Sequence, residues 1–263
     1  MSARVFRQAV AAEWGKVWSV RSTWWCLAGG LALMVLSAVA VGAGAATDAV
    51  REGGGPIVAS EPAVSATIFA QFALVALAML VVTAEYASGS IRATLQALPS
   101  RGMMLAAKAV VVAVVLAVAG VVSALAATLA VGMVLSLEEF GGMVTMPAGE
   151  IAQDVLKAGM YFAMAGVLTL GAGLALRSAA GTLTVVFMLL LGVPLLAMMT
   201  GSSVAVELSL RMPLFAGLAF MGSTENLTGG PMPYPAAEGL GWLVLWTCSA
   251  VIVGFVVLRR RDA

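Results

Sequence analysis

Of the 263 residues, 62% are hydrophobic and 10% are charged, with a formal net charge of +1. A water-facing surface carries roughly 25–35% charged residues, so this composition excludes a soluble domain and predicts an all-α or β-barrel membrane protein. The chain has no histidine, which removes Ser–His and Cys–His nucleophilic pairs, the HExxH zinc motif and histidine proton relays. Its two cysteines, Cys26 and Cys248, fall in separate apolar runs and read as small core residues.

Residues 1–23 come first. Phe6, Val10, Trp14, Val17 and Trp18 recur at helical spacing, with Arg4, Arg7, Lys16 and Arg21 around them. This pattern predicts a basic amphipathic helix lying in the membrane plane, with Trp14 and Trp18 at the headgroup level. Six apolar runs follow, at residues 24–46, 67–84, 109–137, 155–176, 179–200 and 240–258. Each is long enough to cross about 30 Å of hydrocarbon as a helix. None alternates with period two, which excludes the barrel. The fold class is therefore all-α, a polytopic membrane protein with six transmembrane helices in one domain spanning 1–263.

The connections differ in character. Residues 48–66 contain Gly53-Gly54-Gly55-Pro56 and read as a loop. Residues 85–108 are polar with a short helical stretch, and 138–154 are acidic. Residues 201–239 are the longest connection. Within it, 203–221 is moderately apolar, with Glu207 and Arg211 at i and i+4. That predicts a helix lying at or dipping into the membrane surface. The run Gly229-Gly230-Pro231-Met232-Pro233-Tyr234-Pro235 is expected to be irregular.

The net charge hides a strong asymmetry. With six spans, the N-terminal segment, the loop after run two, the turn after run four and the C-terminus share one side. That side holds eleven basic residues and three acidic ones, a net of +8; the other holds three basic and ten acidic, a net of −7. The positive-inside rule puts the basic side, and both termini, in the cytoplasm.

No Asp, Glu, Lys or Arg lies near the centre of a run. Ion-coupled transporters usually keep such a charge. There is no GxxxxGK[ST] loop, so the chain cannot hydrolyse a nucleotide by that route. The sixteen methionines include Met160 and Met164, one turn apart, and Met198-Met199. Without Cys or His beside them they read as core fillers rather than a copper site. Any active transport must therefore draw its energy from a partner.

The segment 85–108 is the best docking candidate. Ser88 or Ser90 can cap a helix start; Ile91, Leu95 and Leu98 then form one apolar face, and Pro99 stops the helix. Such a face can insert into a groove on another protein. Glu85 can pair with Arg92 across the loop, whereas Arg101 and Lys108 read as anchors for anionic lipid.

Glu85-Tyr86, Ser88-Gly89-Ser90-Ile91-Arg92, Leu98-Pro99-Ser100-Arg101 and Lys108 resemble the E-Y-x-x-G-x-I-R … P-x-R … K pattern of ABC-2 type transporter permeases. Glu13-Trp14-x-Lys16, Ser19-x-Arg21-Ser22-Thr23 and the terminal Arg259-Arg260-Arg261-Asp262 are similar to bacterial members of that family. The resemblance implies the membrane subunit of an ATP-binding cassette exporter, not itself an enzyme. Residues 1–23 would be the connecting helix, 85–108 the coupling loop and 201–239 the extracellular helical segment. Glu85, Tyr86, Ser90, Ile91, Arg92, Leu95, Leu98, Pro99 and Arg101 would then lie at the ATPase interface. The implied partners are an ABC-type ATPase subunit, a second copy of the chain or a paralogous permease, and membrane lipids, with no nucleic acid. No cofactor is expected on this chain; ATP and Mg would sit on the ATPase. The implied substrate is amphipathic: an antibiotic, a peptide or a lipid. A non-transporting sensory or scaffold subunit and an ATP-independent channel are the other readings.

Overall fold

The computed structural model describes residues 3–97, 100–140, 142–223 and 232–260. Helix α1 (Ala3–Ser19) stops at Val20, whose extended backbone separates it from α2 (Arg21–Glu52). The Thr23 hydroxyl donates to the Val17 carbonyl at 2.6 Å, satisfying one of the acceptors that the end of α1 leaves open. Next come β1 (Ile57–Val58), α3 (Ser60–Ala87), α4 (Ile91–Ala97), α5 (Arg101–Leu135), β2 (Val144–Thr145) and α6 (Ala148–Leu176). Helices α7 (Ala179–Phe187) and α8 (Val193–Met199) join through a π turn, Met188–Gly192. The turn precedes Pro194, which has no N–H for the helical ladder. Helices α9 (Ser203–Leu210), α10 (Pro213–Met221) and α11 (Ala236–Arg260) complete the order.

Six stretches are long and apolar enough to cross a membrane: α2, α3, α5, α6, the α7–α8 unit and α11. They overlay the six predicted runs, and the chain is a multi-pass helical membrane protein. Four of the helices extend well beyond the apolar runs, because a helix continues until a cap or breaker stops it, not where hydropathy falls. Strands β1 and β2 pair in parallel, with Ile57 opposite Val144. This clip falls in two segments expected to be loops, and two-residue strands leave no periodicity to read.

Helices α3 and α6 are the most buried spans and α11 the least. Helix α2 packs on α3 and α5, and α6 packs on α3, α5 and α11. Where α6 crosses α11 the backbones touch: a Cβ on Gly171 would lie 2.5 Å from the Ala250 carbonyl, and one on Gly254 2.5 Å from the Gly171 oxygen. Small residues at a crossing allow this approach in lipid. Cys248, expected in the core, is exposed on α11, and Cys26 is half-buried. Met160 and Met199 are likewise exposed instead of core-filling.

The segment 203–221, expected to be helical and to lie at or dip into the membrane surface, is helical throughout most of its length. It forms two helices bent by 64°, and every residue of α10 is buried. Met164 lies beside Thr247 and Gly171 beside Gly254, so α6 and α11 run parallel and start at the same end. Helix α8 finishes at that end, so the chain between α8 and α11 leaves and returns on one side. Helix α10 is thus re-entrant. It packs against α11, α6 and α3, and a Cβ on Gly217 would meet the Tyr161 ring at 2.2 Å. At the bend before α10 the Tyr234 hydroxyl donates to the Leu210 carbonyl, and the Trp246 indole donates to the Arg211 carbonyl at 2.9 Å. Burial pushes the Tyr234 phenol up to about 12, with Glu238 adding to the effect.

Candidate functional site

The basic end of the bundle holds a cluster of four charges, three of them buried. Glu13 and Lys16 lie one turn apart on α1, Glu85 is in the last turn of α3, and Lys108 lies seven residues inside α5. Lys108 Nζ donates to Glu13 Oε2 at 2.6 Å and to Glu85 Oε1 at 2.8 Å. Lys16 Nζ donates to Glu13 Oε1 at 2.8 Å, to Glu85 Oε1 at 2.7 Å and to Thr94 Oγ1 of α4 at 3.3 Å. Lys108 is 0% exposed, Glu13 3% and Glu85 8%. Two ammoniums and two carboxylates cancel, which is the condition for keeping charge at such burial. Helix α1 is thereby tied to the consecutive helices α3, α4 and α5 at one point.

The Lys16 ammonium is held above its ordinary value. Burial alone would lower it, but its hydrogen bonds to Glu13 and Glu85 and their charges outweigh that effect. The contribution of Lys16 to stability is therefore complete below the ordinary value of 10.5 and is lost as pH rises through the raised one.

Several expectations change here. Lys108 is not a lipid anchor, because α5 begins at Arg101 and carries Lys108 two turns into the bundle. Arg101 is not one either: its guanidinium donates to the carbonyls of Leu258 and Arg259 at 2.6 and 3.1 Å, capping α11. Glu85 pairs with Lys16 and Lys108 and not with Arg92, which is exposed on α4. Ile91 is 3% exposed and belongs to this chain's own core, so it is unavailable to a partner's groove. Leu98, Pro99 and the Leu95 side chain lie outside the described residues. Tyr86 is half-buried beneath Arg177, whose guanidinium stands 5.3 Å from the ring centre. Ser90 is exposed, and its hydroxyl lies 2.9 Å from that of Ser88.

On α1 the buried residues are Ala9, Glu13 and Val17, so the face turned toward α5 carries an acid that the apolar pattern does not register. Trp14 and Arg21 are exposed, Lys16 is partly exposed, and Trp18 is half-buried. Trp18 contacts Trp14 and Trp24, with ring centres 5.7 and 5.2 Å apart.

Beside the cluster opens a cleft of about 470 Å³ between α1, the start of α2, α3 and α4. Val17, Val20, Leu77, Leu80 and Val81 form its apolar part; Lys16, Glu85, Ser88, Ser90 and Thr94 supply its polar lining. A second, polar hollow of about 270 Å³ at the acidic end includes Glu61, Glu150, Asp154 and Lys157. There Ser60 donates to Asp154 at 2.6 Å. Among the described residues no group of three or more acidic or cysteine side chains is arranged to hold a metal.

Thr94 and Gln71 were not singled out by sequence. Thr94 carries no signal of its own. Gln71 and Tyr161, both fully buried, share a hydrogen bond between α3 and α6; a glutamine alone within an apolar run was the available sign. Comparison with protein-family models finds no match, and no curated protein matches the chain significantly.

Proposed function

We propose that this chain is the permease subunit of an ATP-binding cassette exporter, in a bacterial cytoplasmic membrane with both termini inside. A separate ATPase would supply the energy, and an amphipathic substrate would cross between two permease copies. The observation that carries this reading is the four-charge joint. It ties α1, α3 and α5, with α4 held through Thr94, beneath the segment that bears the family-like pattern. A push on α4 from the basic side would reach Lys16 through Thr94, and from Lys16 the carboxylates of Glu13 and Glu85.

Because Ile91 faces inward, the face of α4 open to an ATPase is the polar one that carries Arg92 and Gln96. Arg92→Glu combined with Gln96→Glu should abolish association with the cognate ATPase and stimulation of its turnover, without changing the helical content of the permease. Intact association and stimulation in that variant would remove α4 as the docking element. ATP-dependent uptake of a labelled amphiphile into inside-out vesicles, present with both subunits and absent with either alone, tests export itself.

A further inference from the structure

We propose that the cleft at the basic end holds one acyl chain of an anionic glycerophospholipid, whose phosphate is bound by Arg21 and Ser22 at the start of α2. The inference stands whether or not the chain is an exporter, because it rests on the cleft and its surroundings alone.

Position comes first. Gly30 of α2 lies against Leu74 of α3, and Gly42 against Pro62. The two pairs share one antiparallel register, and continuing it sets Arg21 level with Thr83. On α3 the cleft is walled by Leu77, Leu80, Val81 and Ala84, and then by Glu85 and Ser88. Arg21 therefore stands level with the change from apolar to polar wall. The apolar wall continues from that level to Leu77, six residues or roughly 9 Å toward the middle of the span. Trp24 and Trp25 are exposed one turn beyond Arg21, and exposed tryptophans mark the headgroup level. A bilayer phospholipid has its phosphate at this level and its chains directed inward, which is the direction in which the cleft becomes apolar.

Charge then selects the headgroup. The three N–H bonds of Lys16 are engaged by Glu13, Glu85 and Thr94, so the cluster offers a ligand no open cation. Arg21 does. It is exposed between the wall residues Val20 and Ser22, and its guanidinium makes no ion pair or hydrogen bond among the described residues. The Ser22 hydroxyl likewise has no hydrogen-bond partner among the described residues. A guanidinium next to a hydroxyl suits the oxygens of a phosphate. The basic excess of this end attracts an anionic lipid and opposes a cationic amphiphile. A soluble anion would leave Val17, Val20, Leu77, Leu80 and Val81 uncovered, and an uncharged lipid would leave Arg21 without a partner. An anionic phospholipid meets both demands, and the cleft volume of about 470 Å³ is in the range of roughly 300–1,000 Å³ common for ligand sites.

The test uses the full-length protein in phosphatidylcholine nanodiscs that carry a minor share of phosphatidylglycerol with a photoreactive acyl chain. Cross-links, mapped by mass spectrometry, should concentrate on residues 77–84 relative to the exposed face of α11. Unlabelled phosphatidylglycerol should displace the label about fivefold better than added phosphatidylcholine. Arg21→Gln should weaken the labelling about tenfold, whereas Arg7→Gln, which removes a neighbouring exposed charge outside the cleft, should leave it unchanged. Ala84→Trp fills the cleft from an exposed wall position and should remove the labelling in a protein of unchanged helicity. Displacement by soluble glycerol phosphate would show a headgroup site without a chain site and overturn the proposal. So would equal displacement by the two phospholipids, equal loss in Arg7→Gln and Arg21→Gln, or labelling spread evenly over α11.

Discussion

The two ends of the bundle are joined by different physics. At the basic end, α1, α3 and α5 meet through a set of full charges, the buried Glu13, Glu85 and Lys108 and the partly exposed Lys16. At the acidic end, α10 is wedged among α3, α6 and α11 by shape, with Gly217 against the Tyr161 ring, and the polar links around it, such as Tyr161 to Gln71 and Trp246 to the Arg211 carbonyl, are mainly neutral hydrogen bonds. A charged joint is directional and fails when one member is lost. A packed joint fails by degrees, with the volume added or removed. The difference teaches where movement is feasible: a neutral ion cluster can exchange partners between discrete arrangements, whereas close-packed backbones resist sliding.

The largest expected effect tests the charged joint. Lys108→Met leaves Glu13 and Glu85 sharing only Lys16 and should destabilise the fold by about 3–5 kcal/mol, read as earlier loss of helicity on titration with SDS. Replacing Glu13, Lys16, Glu85 and Lys108 together with apolar residues should recover most of that loss. If the single and quadruple variants unfold alike, charge balance is not what holds this end.

Next comes the packed joint. Gly217→Val places its side chain inside the Tyr161 ring position and should cost about 1–3 kcal/mol in the same titration. Tyr161→Phe should cost roughly 1–3 kcal/mol, because it leaves the buried Gln71 oxygen without its donor; Gln71→Leu in the same background should restore stability. A Tyr161→Phe protein as stable as the parent would show that packing alone fastens the acidic end.

The smallest effect separates the ends by pH. Lys16 contributes fully below pH 10.5, and its contribution is lost as pH rises beyond that value. Alkali should therefore loosen α1 first, seen as a red shift of Trp14 and Trp18 emission above pH 10.5. In Lys16→Met that early phase should disappear. Since Lys16 is about half exposed, solvent screening keeps this term below about 1 kcal/mol.

Much of the fold was legible because hydrocarbon imposes length and composition on any helix that crosses it. Six runs were visible, and six spans are found. The site was less legible. Lys108 directly precedes an apolar run, and a hydropathy boundary placed it in the loop. The helix actually starts at Arg101 and carries it into the bundle. The apolar face of α4 was visible in Ile91, but not that this chain consumes it. For α10, a nine-residue apolar stretch is consistent with a surface helix or a buried one; only its neighbours distinguish the two.

The sequence by itself determined the membrane class, the number of spans and the sorting of charge to opposite ends, because these depend on composition and on distance along the chain. The tertiary structure decided which charges meet, which face of α4 stays open and whether 213–221 lies on the bundle or inside it. Those outcomes depend on contacts such as Glu13 with Lys108, 95 residues apart. A pattern read over a few helical turns carries no information about a partner at that distance.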